Sequence, residues 1–106
     1  MASIGQVFLD MIEDPGVCGG MSHVLDVWDE HAQTYLKEIT QRIDEAGTGI
    51  AKVRAGYILS ERMGLSAKSV DDWKRHAQRG GSRKLDPDSD YVPVFSEKWM
   101  ISINVD

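Results

Sequence analysis

The sequence predicts an α+β fold in which four or five helices pack against a small C-terminal antiparallel sheet. Two patterns predict this class. Up to residue 79 the apolar residues recur at helical spacing, whereas residues 99–105 alternate between apolar and polar with a period of two. A length of 106 residues suits one modest core, so we expect a single domain over residues 1–106.

The first predicted helix begins at Ser3, whose hydroxyl can cap the first helical turn. Pro15 and Gly16 end this helix, because proline lacks the amide hydrogen that a continuing helix needs. The apolar residues expected on its inner face are Val7, Phe8, Met11 and Ile12.

The second helix is expected from Met21, after the break at "CGG", and the third runs up to the break at "EAGTG". Both have the apolar spacing of amphipathic helices that face one core. The apolar stripe of the second helix comprises Val24, Leu25, Val27 and Trp28. That of the third comprises Tyr35, Leu36, Ile39 and Ile43.

The fourth helix is predicted to start at Thr48, a capping residue, and to end before Gly64, which can adopt the left-handed conformation without a Cβ penalty. Its inner face consists of Ile50, Val53, Tyr57 and Ile58. A short fifth helix is expected to start at Ser66 or Ser69 and to run through Val70, Trp73 and Ala77.

The C-terminal strand is predicted over residues 99–105, with Trp99, Ile101, Ile103 and Val105 on one face. "SRKL", residues 82–85, is a weaker strand candidate, and "DPDSD" after it has the composition of a turn. Because a two-stranded hairpin is only marginally stable alone, Trp99 and its face are expected to lie on the helices.

The net charge of −5 is unevenly distributed: residues 1–46 carry −7, residues 47–85 carry +6 and residues 86–106 carry −4. The basic middle predicts a face that contacts nucleic acid or a partner protein, although an ordinary solvated helix surface is the alternative. The residues of this predicted basic face are Lys52, Arg54, Arg62, Lys74, Arg75, Arg79, Arg83 and Lys84.

Residues 79–87, "RGGSRKLDP", have the composition of a phosphate-binding loop, but their context differs from one. A phosphate loop follows a strand and opens a helix, so that backbone amides converge on the anion. Here the order is reversed, which favours a helix-terminating turn. Nearby cations then offset the partial negative charge of the helix C-terminus.

Nothing in the sequence predicts an enzyme, a metal site or a cofactor. The three histidines lie far apart and lack zinc-ligand spacing, and no serine or cysteine has the context of a nucleophile. The single cysteine, Cys18, cannot form an internal disulfide, and no apolar run has the length of a membrane span. We therefore expect a cytoplasmic protein with no membrane contact.

Three blocks of sequence, in the same order, resemble the C-terminal domain of AbiEi-type antitoxins, the repressors of type IV toxin–antitoxin systems. The first block is "FLDMIEDPGVCGGMSHVLDVW", residues 8–28, matched at Leu9, Asp10, Pro15, Cys18, Gly19 and Gly20. "RAGYILSE", residues 54–61, is matched at Arg54, Gly56, Tyr57, Leu59 and Glu61. "KLDP" followed by "WMISIN" is matched at Leu85, Asp86, Pro87, Trp99 and Asn104.

The resemblance implies a non-enzymatic regulatory domain that supports toxin neutralisation, operon autoregulation or both. Its implied partners are a nucleotidyltransferase-like toxin or a separate DNA-binding protein. The winged helix-turn-helix that reads DNA in this family would precede residue 1, so only weak, non-specific DNA contact is expected. The alternative is a small oligomeric scaffold protein with no nucleic-acid role.

Overall fold

The computed structural model describes residues 3–76, 84–86, 94–96 and 98–104. Within these ranges the chain forms five α-helices and two strands of two residues each. The helices are α1 (Ile4–Glu13), α2 (Met21–His31), α3 (Leu36–Ala46), α4 (Gly49–Tyr57) and α5 (Lys68–Trp73). A π-helical turn (Ile58–Arg62) continues α4, and a 3-10 turn (Lys74–His76) continues α5. The strands are β1 (Phe95–Ser96) and β2 (Ile101–Ser102).

The predicted α+β class is wrong, because the described residues are mostly helical and the two strands do not form a layer. Pairing is antiparallel and limited to Phe95 with Ser102 and Ser96 with Ile101. Of the predicted strand 82–85, the described residue Lys84 forms one isolated parallel bridge with Ser102. The short C-terminal segments therefore pack on the helices without forming a sheet layer of their own.

Two features explain why residues 99–104 do not form the predicted strand; Val105 lies outside the described residues. Met100 has a left-handed backbone, with φ of 56°, and its amide donates to the Ser96 carbonyl at 2.7 Å, so residues 98–100 form a turn. Ile101 and Ser102 are both fully buried, so the two faces of β2 do not divide into core and solvent. The alternation in sequence thus arises from a turn and a buried strand.

The starts of α1 and α4 confirm the predicted caps. The Ser3 hydroxyl accepts a hydrogen bond from the Gln6 amide at 3.1 Å, and the Thr48 hydroxyl accepts one from the Ala51 amide at 3.2 Å. Gly64, with φ of 70°, takes the left-handed conformation expected after the fourth helix.

Predictions for three segments need correction. α1 buries Gly5, Phe8, Leu9 and Ile12, whereas Val7 remains 37% exposed. Tyr35, predicted on the inner face of the third helix, precedes α3 and is exposed. The start of the fifth helix has no side-chain cap: Ala67 holds the cap position, and Ser69 instead donates to Asp44 of α3. Ala77 lies outside the described residues.

One apolar core joins all five helices to the C-terminal segment, and it contains the fully or almost fully buried rings of Trp28, Trp73 and Trp99. The expected packing of Trp99 on the helices is confirmed. Asp44 connects α3 to α5, because it also accepts a hydrogen bond from the Trp73 indole at 2.6 Å. None of the helices in the described ranges is long and apolar enough to cross a bilayer.

Candidate functional site

Several described members of the predicted basic face are bound within the chain. Arg54 is buried, at 9% exposure, and its Nε donates to the Lys84 carbonyl at 2.9 Å. This guanidinium holds the C-terminal segment against α4. A buried arginine needs hydrogen-bond partners to offset the cost of burying its charge, so these contacts make Arg54 part of the scaffold.

Two further cations of the predicted face pair with carboxylates. Arg62 binds Asp29 of α2 in a bidentate manner, with Nε–Oδ1 and Nη2–Oδ2 distances of 3.1 and 2.8 Å. Lys74 lies 3.3 Å from Asp71, one turn earlier in the chain. These pairs neutralise positive charge where the sequence predicts a binding face.

The remaining members of the predicted basic face differ in accessibility. Lys52 and Lys84 are half-buried, and Arg75 is exposed on the 3-10 turn after α5. Arg79 and Arg83 lie outside the described residues. The described members of the set therefore stand on α4, its π-helical extension, the end of α5 and the C-terminal segment, with different roles on each.

Residues from two of the sequence blocks meet around Trp99. Gly56 lies directly under the indole ring, so that a Cβ at position 56 would overlap the ring carbons of Trp99. The indole Nε1 donates to Ser60 Oγ at 3.0 Å, and this hydroxyl donates to the Gly56 carbonyl at 2.7 Å. Gly56 therefore permits the close approach of Trp99.

Side-chain hydrogen bonds secure the same region from two sides. Ser96 Oγ donates to Glu61 at 2.8 Å and accepts from the Trp99 amide at 3.2 Å. Asn104 exchanges two hydrogen bonds with the backbone of Asp86, at 2.9 and 2.8 Å. We call this region the C-terminal cluster; its members are Arg54, Gly56, Ser60, Glu61, Lys84, Asp86, Ser96, Trp99 and Asn104. Their contacts within the chain indicate a structural role.

The acidic N-terminal helices expose apolar side chains to solvent. α1 contributes one wall of a shallow groove, through Ile4, Val7, Phe8 and Met11. Val27 and His31 of α2 form the other wall, and Tyr35 also lines it. Ile4 and Val7 are 37% exposed and Tyr35 36%, so this α1–α2 groove presents apolar side chains to solvent.

Below this surface the packing is aromatic and fixed. The ring of Phe8 lies edge-to-face against Trp28, with centroids 5.4 Å apart, and 6.2 Å from the ring of Tyr35. Aromatic pairs with this geometry add to the free energy of burial. The floor of the α1–α2 groove is thus part of the core.

The α1 and α2 residues around the α1–α2 groove are acidic, whereas Arg42 of α3 lies at the start of α1, where it lines a hollow together with Ile4 and donates to Gln6 at 2.6 Å. Residues 1–36 contain six carboxylates and no lysine or arginine. Asp10 follows Val7 by three residues on α1, and Glu30 follows Val27 by three residues on α2, so each lies beside a groove wall. A second hollow, lined partly by Asp10, Glu13 and Asp14, lies at the end of α1.

This groove was not predicted, because the helical spacing of Val7 and Met11 placed both residues on the inner face of the first helix. A signal was available: six of the ten α1 residues are large and apolar, more than one inward stripe of a ten-residue helix requires. The excess apolar residues are those that line the groove.

The described residues contain no group of three or more potential metal ligands. The pKa of Tyr57 is raised, because burial disfavours its phenolate and the nearby Glu61 carboxylate adds to that effect, while Arg62 opposes it. Such a tyrosine stays neutral at physiological pH, which suits a structural residue.

Comparison of the chain with models of protein families, with curated proteins and with solved structures gave no match. The geometry of the described residues is therefore the basis for a functional proposal.

Proposed function

We propose that this protein is a non-enzymatic regulatory domain that acts by binding another protein through its acidic N-terminal part. The observation that carries this proposal is the α1–α2 groove, which exposes apolar side chains to solvent. Exposed apolar surface bordered by polar residues is typical of protein-binding sites.

The contacts of the predicted basic face support the same choice. Arg54, Arg62 and Lys74 each bind a group of the same chain, so they contribute less to an external surface than the sequence suggests. A domain with a net charge of −5 also repels the phosphates of nucleic acid. Binding to protein is therefore better supported than binding to DNA.

The resemblance to AbiEi-type antitoxins supplies the first partner to test, a nucleotidyltransferase-like toxin, with a separate DNA-binding protein as the second. In this proposal the protein works in the cytoplasm and neutralises the toxin by contact. The test is to express a nucleotidyltransferase-like gene adjacent to this one, alone and together with the 106-residue chain, and to measure growth and complex formation. Toxicity that the chain relieves, with a complex that co-purifies, is the expected result; a toxin that neither binds nor is neutralised would refute the antitoxin role.

The proposal also predicts how the chain behaves toward DNA. Because no described element projects an obvious recognition helix, the chain should bind its own upstream region no better than a scrambled duplex. Any residual binding should weaken steeply as salt is raised, since it depends on counterion release. A titration of both duplexes at two salt concentrations tests this, and a clear preference for the upstream sequence at physiological salt would contradict it.

A second candidate function is a small oligomeric scaffold with no nucleic-acid role. The internal pairing of Arg62 with Asp29 favours it, because the basic residues then serve to balance acidic helices. Sedimentation equilibrium separates the candidates: a concentration-independent oligomer that binds no toxin supports the scaffold, and a monomer excludes it.

A further inference from the structure

We propose that the α1–α2 groove receives the apolar face of a basic amphipathic helix from the partner protein. This inference rests on the proposed protein-binding function and specifies the chemistry of the ligand.

The dimensions of the groove fit a helix better than a small molecule. Its volume of 260 Å³ lies below the range of roughly 300–1,000 Å³ that is typical of small-molecule pockets. From Ile4 to Met11 the wall on α1 extends over about 10 Å, at about 1.5 Å per residue. Two turns of a second helix cover that length, with apolar anchors at positions i, i+3 or i+4, and i+7.

The charge around the groove selects a basic helix. Asp10 and Glu30 stand beside the two walls, and the hollow lined by Glu13 and Asp14 adds two more carboxylates at the end of α1. Among the six carboxylates of residues 1–36, Asp29 is bound by Arg62, Glu30 lies 3.5 Å from His31 of the groove wall, and Asp10 accepts a hydrogen bond from Gln6 at 2.7 Å. Lysines or arginines that flank the apolar stripe of a partner helix would be attracted to these carboxylates, and this attraction would speed association.

The same charge argues against three other occupants. A membrane surface or a nucleic acid is anionic and would be repelled by these carboxylates. A second copy of the chain, related by a two-fold axis, would bring the same acidic surface against itself. A basic helix remains, because it matches both the apolar walls and the acidic border.

The test uses two designed peptides and the full chain. One peptide is an 18-residue helix with leucine at positions i, i+3, i+4 and i+7 and lysine on its remaining faces; the other carries glutamate in place of lysine. Fluorescence anisotropy gives the affinity of each. We expect the lysine peptide to bind at least about tenfold more tightly, a difference of about 1.4 kcal/mol, and its affinity to fall as salt is raised.

Substitutions locate the binding site. Val7→Lys places a positive charge in the groove wall, and we expect it to weaken binding of the lysine peptide about tenfold. Val17→Lys is the matched control, because Val17 is 80% exposed in the same acidic part of the chain but does not line the groove. It should change the affinity by about twofold or less. Tyr35→Lys provides a second groove variant, and thermal midpoints show that each variant is folded.

Each contrary outcome has a distinct meaning. Equal binding of the two peptides, or equal loss from Val7→Lys and Val17→Lys, would overturn the inference. Self-association that Val7→Lys abolishes would also overturn it, because the occupant would then be a second copy. If a toxin binds wild type and Val7→Lys equally, the groove is not its binding site, although the protein-binding function stands. If the lysine peptide binds as expected but no partner protein binds, the proposed function is refuted, whereas the groove remains a binding site for basic helices.

Discussion

The acidic N-terminal part and the C-terminal cluster use their side chains in opposite ways. In the C-terminal cluster, polar and charged groups bind one another or the backbone, as Arg54 does with Lys84 and Asn104 with Asp86. In α1 and α2, carboxylates and several apolar side chains face solvent. A basic composition therefore does not identify a binding surface, because what matters is which groups the fold has already used.

The difference arises from how each region is held in the fold. The short C-terminal segments bury Leu85, Trp99 and Ile101, and because a two-stranded pair is marginal alone, side-chain hydrogen bonds also secure their backbone. The helices α1 and α2 bury an inner stripe in the shared core, and parts of their outer faces stay in contact with solvent. Their outer faces are free to evolve contacts with other molecules.

The largest predicted effect concerns the anchor of the C-terminal cluster. Trp99→Ala should lower the free energy of unfolding by about 3–5 kcal/mol, because the fully buried indole would leave a cavity. Chemical denaturation of wild type and variant measures the change. An unchanged midpoint would show that the C-terminal segment does not contribute to the core, and the contrast between the two regions would disappear.

The contact between Gly56 and Trp99 gives a sharper version of that test. Gly56→Ala should cost about 1–3 kcal/mol in wild type, because the added methyl group overlaps the indole. In a Trp99→Leu background the same substitution should cost much less, since the overlapping ring carbons are gone. Additive effects in the double variant would contradict the direct contact.

Much of this architecture could be predicted from the sequence, and the failures have identifiable causes. The caps at Ser3 and Thr48 and the left-handed Gly64 follow from local chemistry, which neighbouring residues determine. The short β1 was missed because its pairing depends on tertiary contacts with β2. The supposed strand 99–105 was overestimated because a turn at Met100 and a buried segment imitate period-two alternation.

The candidate site was harder to predict than the fold. Apolar spacing on α1 indicates that a face is apolar, but it does not tell which apolar residues the core covers; that depends on how α1 packs against α3 and α2. Likewise, the sequence shows nine bases in residues 47–85 but not that Arg54 is buried or that Arg62 is paired with Asp29. Tertiary structure decides both points.

A smaller effect is expected at the link between α3 and α5. Asp44→Ala removes the acceptor for the Trp73 indole and the Ser69 hydroxyl, both 2.6 Å away, and should cost about 1–3 kcal/mol. Glu45→Ala is the matched control, because that neighbouring carboxylate makes only exposed contacts, and it should cost about 0.5 kcal/mol or less. Equal costs at the two positions would contradict a specific role for Asp44.

The ion pair between Arg62 and Asp29 should contribute less still, because both side chains are about one-third exposed. Arg62→Gln is expected to cost about 0.2–1 kcal/mol at low salt and less at high salt. If Arg62 instead belonged to a DNA-binding face, the substitution would leave stability unchanged and weaken binding to duplex DNA. Denaturation at two salt concentrations, alongside the DNA titration, distinguishes these roles.

The smallest predicted effect is a pH dependence at Tyr57, beside the C-terminal cluster. Its pKa in the folded protein is raised above the ordinary value of 10.0, mainly by burial. The unfolded chain therefore loses the phenolic proton at lower pH than the folded chain does. The stability that the neutral tyrosine provides is fully present below pH 10 and declines as the pH rises through that value. Tyr57→Phe removes this titration. Above about pH 10, the free energy of unfolding of wild type should therefore fall relative to that of the variant. If the two proteins instead show the same dependence of stability on pH in that range, the hydroxyl is as well hydrated in the folded protein as in the unfolded chain.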